Sequence, residues 1–281
     1  MTTRQDPPPA KCPAPAASLD AIAGFLLDLD GTCYVGDRAV PGAAAFVARC
    51  RAQGRRVLWV TNNCSRRAAE YAAKLNRLGF AATPEDVFTS GEATTLQLRG
   101  EGVTRVFLLG TPSLEREFQD AGLTLTAEDP QRVVVAFDLG VTYEKLKQAC
   151  RLVRAGVPFV ATHPDLNCPT EEGPIPDCGA LCALITAATG VSPQVIGKPH
   201  AGMAAAAARR LGLPPHQIAM VGDRLYTDIR MAVENGMTGI LVLSGEATIE
   251  DLRHSPFQPH LVVSSLADLL PAETPSSTRA S

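Results

Sequence analysis

Two aspartates stand two residues apart directly after an apolar segment. The segment reads Phe25-Leu-Leu-Asp-Leu-Asp-Gly-Thr32 and places its carboxylates at Asp28 and Asp30. Residues i and i+2 of a strand point to the same face, so both side chains can converge on one site. A nucleophile and a general acid are the roles that such a pair can fill, although an Asp-Gly turn alone would also explain the residue types.

Three further segments carry polar side chains at the ends of apolar strands or at the starts of helices. In parallel sheets, ligands bind beyond the carboxyl ends of the strands, so these groups are expected near the two aspartates. The segments are Val57-Leu-Trp-Val-Thr-Asn-Asn63, with Thr61 and Asn62; Val195-Ile-Gly-Lys-Pro-His200, with Lys198; and Ile218-Ala-Met-Val-Gly-Asp-Arg-Leu-Tyr-Thr-Asp-Ile229, with Asp223 and Asp228.

The composition excludes several function classes. The chain has 281 residues, 46% hydrophobic and 20% charged, which suits a globular protein with room for two domains. Its formal net charge of −3 gives no electrostatic basis for a nucleic-acid or anionic-membrane partner. No apolar run reaches the roughly 18 residues of a membrane span. Residues 1–17 are rich in Pro and Ala, lack the apolar core of a signal peptide, and are predicted to form a disordered tail.

Cysteine usage indicates a reducing environment. Eight cysteines are scattered through the chain, which is too large to need disulfide bonds, so free thiols in the cytoplasm are predicted. No Cys-x-x-Cys pair or His-rich cluster indicates a zinc site. Cys33 and Cys64 stand beside the catalytic candidates, where oxidant sensing would require an exposed thiol.

The elements that position these residues alternate between strands and helices, which predicts βαβ units and a parallel sheet. Ser65, Ser90 and Asp177 are predicted to cap the N-termini of three of the helices. Asp30 and Thr61 are separated by about 30 residues, whereas about 136 separate Thr61 from Lys198, so a large insertion lies in the second interval.

In that order, the four segments resemble the signature motifs of the haloacid dehalogenase superfamily of phosphatases. The insertion resembles the type whose α/β cap follows the second motif, and the wording resembles the NagD- and AraL-like sugar- and nucleotide-phosphate phosphatases and their pyridoxal- and glycolate-phosphate relatives. The resemblance implies a Rossmann-like, three-layer parallel-sheet α/β core over residues 18–100 and 195–271. It also implies a substrate-selecting α/β cap over residues 101–194, and residues 272–281 are predicted to form a disordered C-terminal tail.

Hydrolysis of a phosphate monoester needs a nucleophile, a proton for the leaving oxygen and positive charge around the phosphoryl oxygens. Asp28 is expected to attack phosphorus and form an aspartyl-phosphate, and Asp30 is expected to protonate the leaving oxygen and then activate water. Lys198, the Thr61 hydroxyl and the Asn62 backbone amide are expected to hold the phosphoryl group.

Two carboxylates and a phosphate dianion require a cation, for which Mg²⁺ with oxygen ligands is suited. By resemblance, its ligands are the Asp28 side chain, the Asp30 backbone carbonyl and the Asp223 side chain. Asp228 is expected either to orient Asp223, its waters or Lys198, or to stabilise the first turn of the following helix, and both roles are compatible.

The loop over residues 161–179 is long for a compact domain and is expected to choose the substrate. Its His163, Asp165 and Asn167 can hydrogen-bond a polyol, although a turn assembly built on Asx and Pro residues would explain them equally well. The cap is the surface expected for any homo-oligomer.

The sequence therefore predicts a cytoplasmic, Mg²⁺-dependent phosphatase of small phosphorylated metabolites, with sugar phosphates as the first class. Pyridoxal phosphate, phosphoglycolate and nucleoside monophosphates are alternative substrates. A non-catalytic sensor of a phosphorylated ligand is the alternative from another class, but binding alone would need neither Asp28 nor Asp30.

Overall fold

The structure is a computed structural model that describes residues 19–170 and 172–270. The predicted disordered tails, residues 1–17 and 272–281, lie outside the described residues. The described strands, in chain order, are β1 (Gly24–Leu27), β2 (Tyr34–Val35), β3 (Arg38–Ala39), β4 (Arg56–Thr61), β5 (Val87–Thr89), β6 (Arg105–Leu109), β7 (Thr124–Leu125), β8 (Arg132–Val135), β9 (Phe159–Ala161), β10 (Asn167–Cys168), β11 (Ile175–Pro176), β12 (Gln194–Val195), β13 (Ile218–Gly222), β14 (Thr238–Val242) and β15 (Leu261–Val263).

Helices connect most of these strands. A π-helical turn at Leu225–Ile229 leads directly into the helix Arg230–Glu234. The described α-helices are α1 (Ala43–Ala52), α2 (Ala68–Arg77), α3 (Ser90–Gly100), α4 (Pro112–Asp120), α5 (Tyr143–Arg154), α6 (Cys178–Thr189), α7 (Ala201–Leu211), α8 (Arg230–Glu234) and α9 (Ile249–His254). None of the helices in the described ranges is long and apolar enough to cross a membrane.

A six-stranded parallel sheet, the core sheet, has the order β15-β14-β13-β1-β4-β5. Successive side chains along each strand point into two different apolar layers, as β1 shows. Phe25 and Leu27 pack with α1 and α2 on one face, whereas Leu26 packs with α3 and α7 on the other. Because both faces are covered, every residue of β1 is buried, and the predicted three-layer α/β architecture is confirmed.

A second parallel sheet, the cap sheet, is built from the chain between the two halves of the core sheet and has the order β12-β9-β8-β6-β7. Helices α5 and α6 cover one of its faces, and α4 joins the other face to the apolar layer beneath the core sheet. The last strand, β12, pairs with β9 in this sheet, so Val195, predicted to begin the returning core, is still hydrogen-bonded in the cap sheet.

One of the three predicted helix caps is confirmed and two are wrong. The Asp177 carboxylate accepts the Cys178 amide at 2.6 Å and caps α6. Helix α3 is capped by Thr89, because Ser90 is its first residue and donates its hydroxyl to the Asn62 carbonyl. Helix α2 begins at Ala68, and Ser65 does not cap it, because the amide and hydroxyl of Ser65 both donate to the Asn63 side chain.

Candidate active site

Three adjacent central strands deliver the first polar groups of the site. Asp28 follows β1, Asp223 follows β13, and Thr61 ends β4. Strand β1 lies between β4 on one side and β13 on the other, so the direction in which the chain adds strands to the sheet reverses at β1. In such sheets the crevice at the carboxyl ends of the strands is where ligands bind. Asp28, Asp223 and Thr61 are all buried, and the Asp28 amide is fixed by the Val221 carbonyl at 2.9 Å.

Lys198 supplies a buried cation at the centre of this group. Its ammonium contacts the Asp28 carboxylate, the Asp228 carboxylate at 2.7 Å and the Val60 carbonyl at 3.1 Å. Burial by itself lowers the pKa of Lys198, but Asp228 and Asp28 outweigh it and raise that pKa above the ordinary value. The lysine therefore remains charged and holds one oxygen of Asp28 in place.

Three carboxylates converge where a cation could be bound. One oxygen each from Asp28, Asp223 and Asp228 lies within 4.8 Å of the others. The Asp223 Oδ1 atom is buried without a hydrogen-bond partner among the described residues. Burial, with Asp28 and Asp228, raises the pKa of Asp223 to about 8. Removing this charge penalty requires a proton or a cation, so the donor set fits a hard divalent ion such as Mg²⁺.

Glycines make room around the Asp223 carboxylate. A Cβ atom on Gly31, whose φ is +85°, would lie 2.3 Å from Asp223 Oδ2, and one on Gly245 would lie 2.0 Å from it. That oxygen accepts the Glu246 amide at 2.7 Å. One Asp223 oxygen is thus fixed by the backbone, while Oδ1 remains available for a ligand.

Asp30 lies at the edge of the cleft with properties that suit a proton donor. The Tyr34 hydroxyl donates a hydrogen bond to Asp30 Oδ2 at 3.5 Å. Burial and the charge of Asp28 raise the pKa of Asp30 to about 6, against the opposing effects of Lys74 and Arg224. A carboxyl with this environment holds its proton more readily than an exposed aspartate does.

The Asn62 side chain ties the β4 end to the Lys198 segment. Its Oδ1 accepts the Lys198 amide at 2.8 Å, and its Nδ2 donates to the Lys198 carbonyl at 3.1 Å. The sequence assigned a role only to the Asn62 backbone amide, so this use of the side chain was missed. The Thr61 hydroxyl accepts the Asn63 amide at 3.1 Å beside it.

The three residues predicted in the cap loop have different placements. Asp165 faces the core and lines the cleft, His163 is fully buried behind it, and Asn167 is exposed in β10. The loop reaches the core because β9 and β12 are neighbours, and past their ends the Gly197 amide donates to the Thr162 carbonyl at 2.8 Å, so the cap loop starts beside the Lys198 segment.

Sequence reasoning missed Arg224. Its guanidinium donates to Asp165 at 3.1 Å and pairs with Glu246 at 2.8 Å, so it joins the core to the cap loop. The available signal was its position directly after Asp223 at a strand end, where a solvated arginine is not expected.

The cleft between core and cap combines reactive and selective groups. From the core it is lined by Asp28, Asp30, Thr61, Asn62, Lys198 and Arg224, among others, and from the cap loop by Asp165, Cys168 and Asp177. Asp28 and Asp30, the candidates for nucleophile and proton donor, face its core side together with the Lys198 ammonium. Carboxylates able to accept hydrogen bonds face its cap side. This arrangement can transfer a phosphoryl group from a hydroxyl-bearing molecule.

Two family models match the chain. Residues 25–124 match a family described as haloacid dehalogenase-like hydrolase, and residues 195–269 match one described as HAD-hyrolase-like. Both matched ranges include core-sheet strands and residues of the cleft.

Two curated relatives cover most of the chain. It is 35% identical over 249 residues to the 5'-nucleotidase YutF of Bacillus subtilis (strain 168), covering 88% of this chain and 97% of the relative. It is 38% identical over 238 residues to an acid sugar phosphatase of Staphylococcus aureus (strain USA300), covering 84% and 92%.

Solved structures show the same fold. A 4-nitrophenylphosphatase from Thermotoga maritima superposes with a TM-score of 0.86 at 43% identity, over 89% of this chain and 97% of that one. A glycerol phosphate phosphatase from Mycobacterium tuberculosis, in complex with magnesium, has a TM-score of 0.84 at 34% identity, over 89% and 77%. The same enzyme has also been solved with calcium.

Proposed function

The chain belongs to the NagD-type phosphatases of the haloacid dehalogenase superfamily, and we propose that it uses Mg²⁺ and an aspartyl-phosphate intermediate to hydrolyse small phosphorylated metabolites, above all sugar phosphates. The observation that carries the proposal is the buried Asp28 carboxylate, held by the Lys198 ammonium at the end of the central strand and facing an open cleft.

Each residue has a defined task in the proposed reaction. Asp28 attacks phosphorus, because Lys198 holds its buried carboxyl group in place at the end of β1. Asp30 gives its proton to the leaving oxygen and later removes one from the attacking water. Lys198 and Thr61 hold the phosphoryl oxygens. Mg²⁺, held by the Asp28 and Asp223 carboxylates and the Asp30 carbonyl, with Asp228 behind them, would supply positive charge to the phosphoryl group.

Replacement of Asp30 by asparagine should slow hydrolysis according to the leaving group. We expect a loss of about 10²-fold or more in kcat for a sugar phosphate, whose alkoxide needs a proton, and a smaller loss for 4-nitrophenyl phosphate. Steady-state rates of the two substrates with wild type and variant measure the difference. An equal loss for both would remove Asp30 as the acid.

Removal of divalent metal should abolish activity. A chelator is expected to stop phosphate release, and added Mg²⁺ should restore it, whereas the larger Ca²⁺ should support turnover poorly. Asp223→Ala should raise the Mg²⁺ concentration that gives half the maximal rate, while Asp129→Asn, at an exposed position outside the cleft, should not. Full activity without metal, or an unchanged Mg²⁺ requirement in Asp223→Ala, contradicts the assignment.

The substrate class rests on the cap side of the cleft and on the relatives. Asp165 and Asp177 offer carboxylates that can accept bonds from sugar hydroxyls, and one curated relative is an acid sugar phosphatase. The name of the Bacillus relative supports nucleoside monophosphates as the second candidate class. Phosphate release from a panel of sugar phosphates, nucleotides, pyridoxal phosphate and phosphoglycolate, ranked by kcat/KM, decides between them. No release from any of them with Mg²⁺ would contradict the proposed function.

Three broader proposals accompany this one. The core comprises residues 18–100 and 196–271 and the cap residues 101–195, which is supported by the two sheets, since Val195 pairs with Ala161 in the cap sheet. The enzyme works in the cytoplasm, which is supported by the seven described cysteines, all free. Any homo-oligomer forms through the cap, where Leu139 and Tyr143 are exposed.

A further inference from the structure

His163 occupies an unusual position for a histidine. It is fully buried, and neither ring nitrogen has a hydrogen-bond partner among the described residues. The nearest charged atoms are two carboxylate oxygens, Asp165 Oδ2 at 3.5 Å from Nδ1 and Asp177 Oδ1 at 3.4 Å from Nε2. Both carboxylates are themselves buried, and both line the active-site cleft.

The two carboxylates limit the states that the ring can adopt. A neutral imidazole carries one N–H, so it would leave one carboxylate facing a lone pair. A metal ion bound to one ring nitrogen would leave an N–H on the other for the facing carboxylate, and the ligand atoms of His163, Asp165 and Asp177 lie within 4.8 Å of one another, so a metal-bound ring is the competing state. An imidazolium carries an N–H on each nitrogen and offers one to each carboxylate, and its charge offsets two buried anions.

One of these carboxylates connects the cap to the core. The Asn62 side chain donates to both oxygens of Asp165, at 3.2 and 3.3 Å, and Arg224 donates to Oδ2 at 3.1 Å. The Asn62 side chain also bonds both the amide and the carbonyl of Lys198, and the Lys198 ammonium contacts the Asp28 carboxylate. A continuous set of contacts therefore runs from the cap loop to Asp28.

We propose that His163, as an imidazolium bound between Asp165 and Asp177, is a positioning residue that fixes the cap loop against Asn62 and Arg224 of the core. It does not touch the cleft and acts through Asp165. Its effect on turnover rests on the proposed phosphatase function, whereas its protonation state does not.

The surroundings of the ring support the charged form. Burial by itself lowers the pKa of His163, but Cys178, Asp165 and Asp177, with Cys64, raise it well above its ordinary value. Burial also raises the pKa of the Cys178 thiol, and it raises the pKa of the Asp177 carboxyl against the opposing effects of His163 and the Cys178 amide. Asp165 shows the converse: burial raises its pKa, but His163 and Arg224 outweigh burial and lower it.

The direction of the pH dependence follows from that shift. A histidine whose pKa is raised in the folded protein stabilises the structure at low and neutral pH and loses this effect as pH rises through the raised pKa. The loop should therefore be held firmly in the neutral range and released on the alkaline side.

Nitrogen NMR of the enzyme with ¹⁵N-labelled histidine tests the state of the ring directly. At about pH 8 an ordinary histidine is almost entirely neutral. One histidine should instead show both ring nitrogens protonated at that pH, and His163→Asn should remove this signal while His216→Asn, at an exposed site, should not. A His163 ring with one unprotonated nitrogen, or a bound metal ion lost in His163→Asn, would overturn the proposal.

Asp177→Asn provides a second variant, because asparagine also caps helices and the fold should survive. Loss of one carboxylate should shift the titration of His163 to lower pH. The alkaline fall of kcat/KM for the preferred metabolite should move with it, whereas His163→Asn should lose that fall and raise KM about tenfold, with a smaller effect on kcat. A titration that moves without any change in the kinetic profile would refute the positioning role. Absence of turnover on every substrate would refute the proposed function but leave the NMR result standing.

Discussion

Asp28→Asn should lower kcat by several orders of magnitude and leave the fold intact. The substitution replaces the nucleophilic carboxylate by a neutral amide with almost no change in volume, and loss of covalent catalysis is among the largest effects that one residue can produce. Lys198 would still find a polar partner in the amide and a charged one in Asp228. Single-turnover and steady-state rates with the preferred metabolite measure the loss.

A matched control for Asp28→Asn is Asp129→Asn. Asp129 lies in an exposed loop with a φ of 46°, a conformation that asparagine tolerates well, so activity should be unchanged. If Asp28→Asn retains a tenth of the wild-type kcat while its circular dichroism is normal, Asp28 is not the nucleophile.

Lys198→Met should be the second most damaging change, because it affects both rate and stability. Loss of the charge that holds Asp28 and the phosphoryl group should cost about 10²- to 10³-fold in kcat. It also leaves Asp28 and Asp228 as buried carboxylates without their cation, which should lower the free energy of unfolding by about 3–5 kcal/mol. Urea unfolding and kinetics at a temperature where the variant is folded separate the two effects.

The stability part of this prediction has its own control. Lys147→Met removes an exposed lysine from the cap and should change neither quantity. Adding Asp228→Asn to Lys198→Met removes one of the orphaned charges, so the double variant should recover part of the lost stability but not the lost rate. If Lys198→Met is as stable and as active as wild type, the central ion pairs have no role.

Much of the fold and of the core site could be predicted from local patterns. Asp28, Thr61 and Asp223 each follow an apolar run, and the position of the long interval before Lys198 placed the inserted domain in the chain. Such features depend on short segments whose spacing is visible in the sequence. The cap of α6 was predictable for the same reason, since Asp177 directly precedes its helix.

The contacts between cap and core could not be predicted, because they depend on which strands of the inserted sheet are neighbours. Pairing of β9 with β12 brings the start of the cap loop next to the Lys198 segment, although 34 residues lie between His163 and Lys198. Arg224 and Asp165 stand 59 positions apart in the chain and meet across the junction of core and cap. The wrong cap at Ser90 has a similar origin, since its hydroxyl bonds the distant Asn62 carbonyl.

The most direct test of the covalent mechanism is the stereochemical course at phosphorus. Hydrolysis of a substrate made chiral at phosphorus by oxygen isotopes and sulfur, in isotopically labelled water, yields a chiral thiophosphate product. Attack by Asp28 followed by attack of water inverts phosphorus twice, so the account predicts overall retention of configuration. Net inversion would show a single direct attack by water and would contradict the aspartyl-phosphate mechanism.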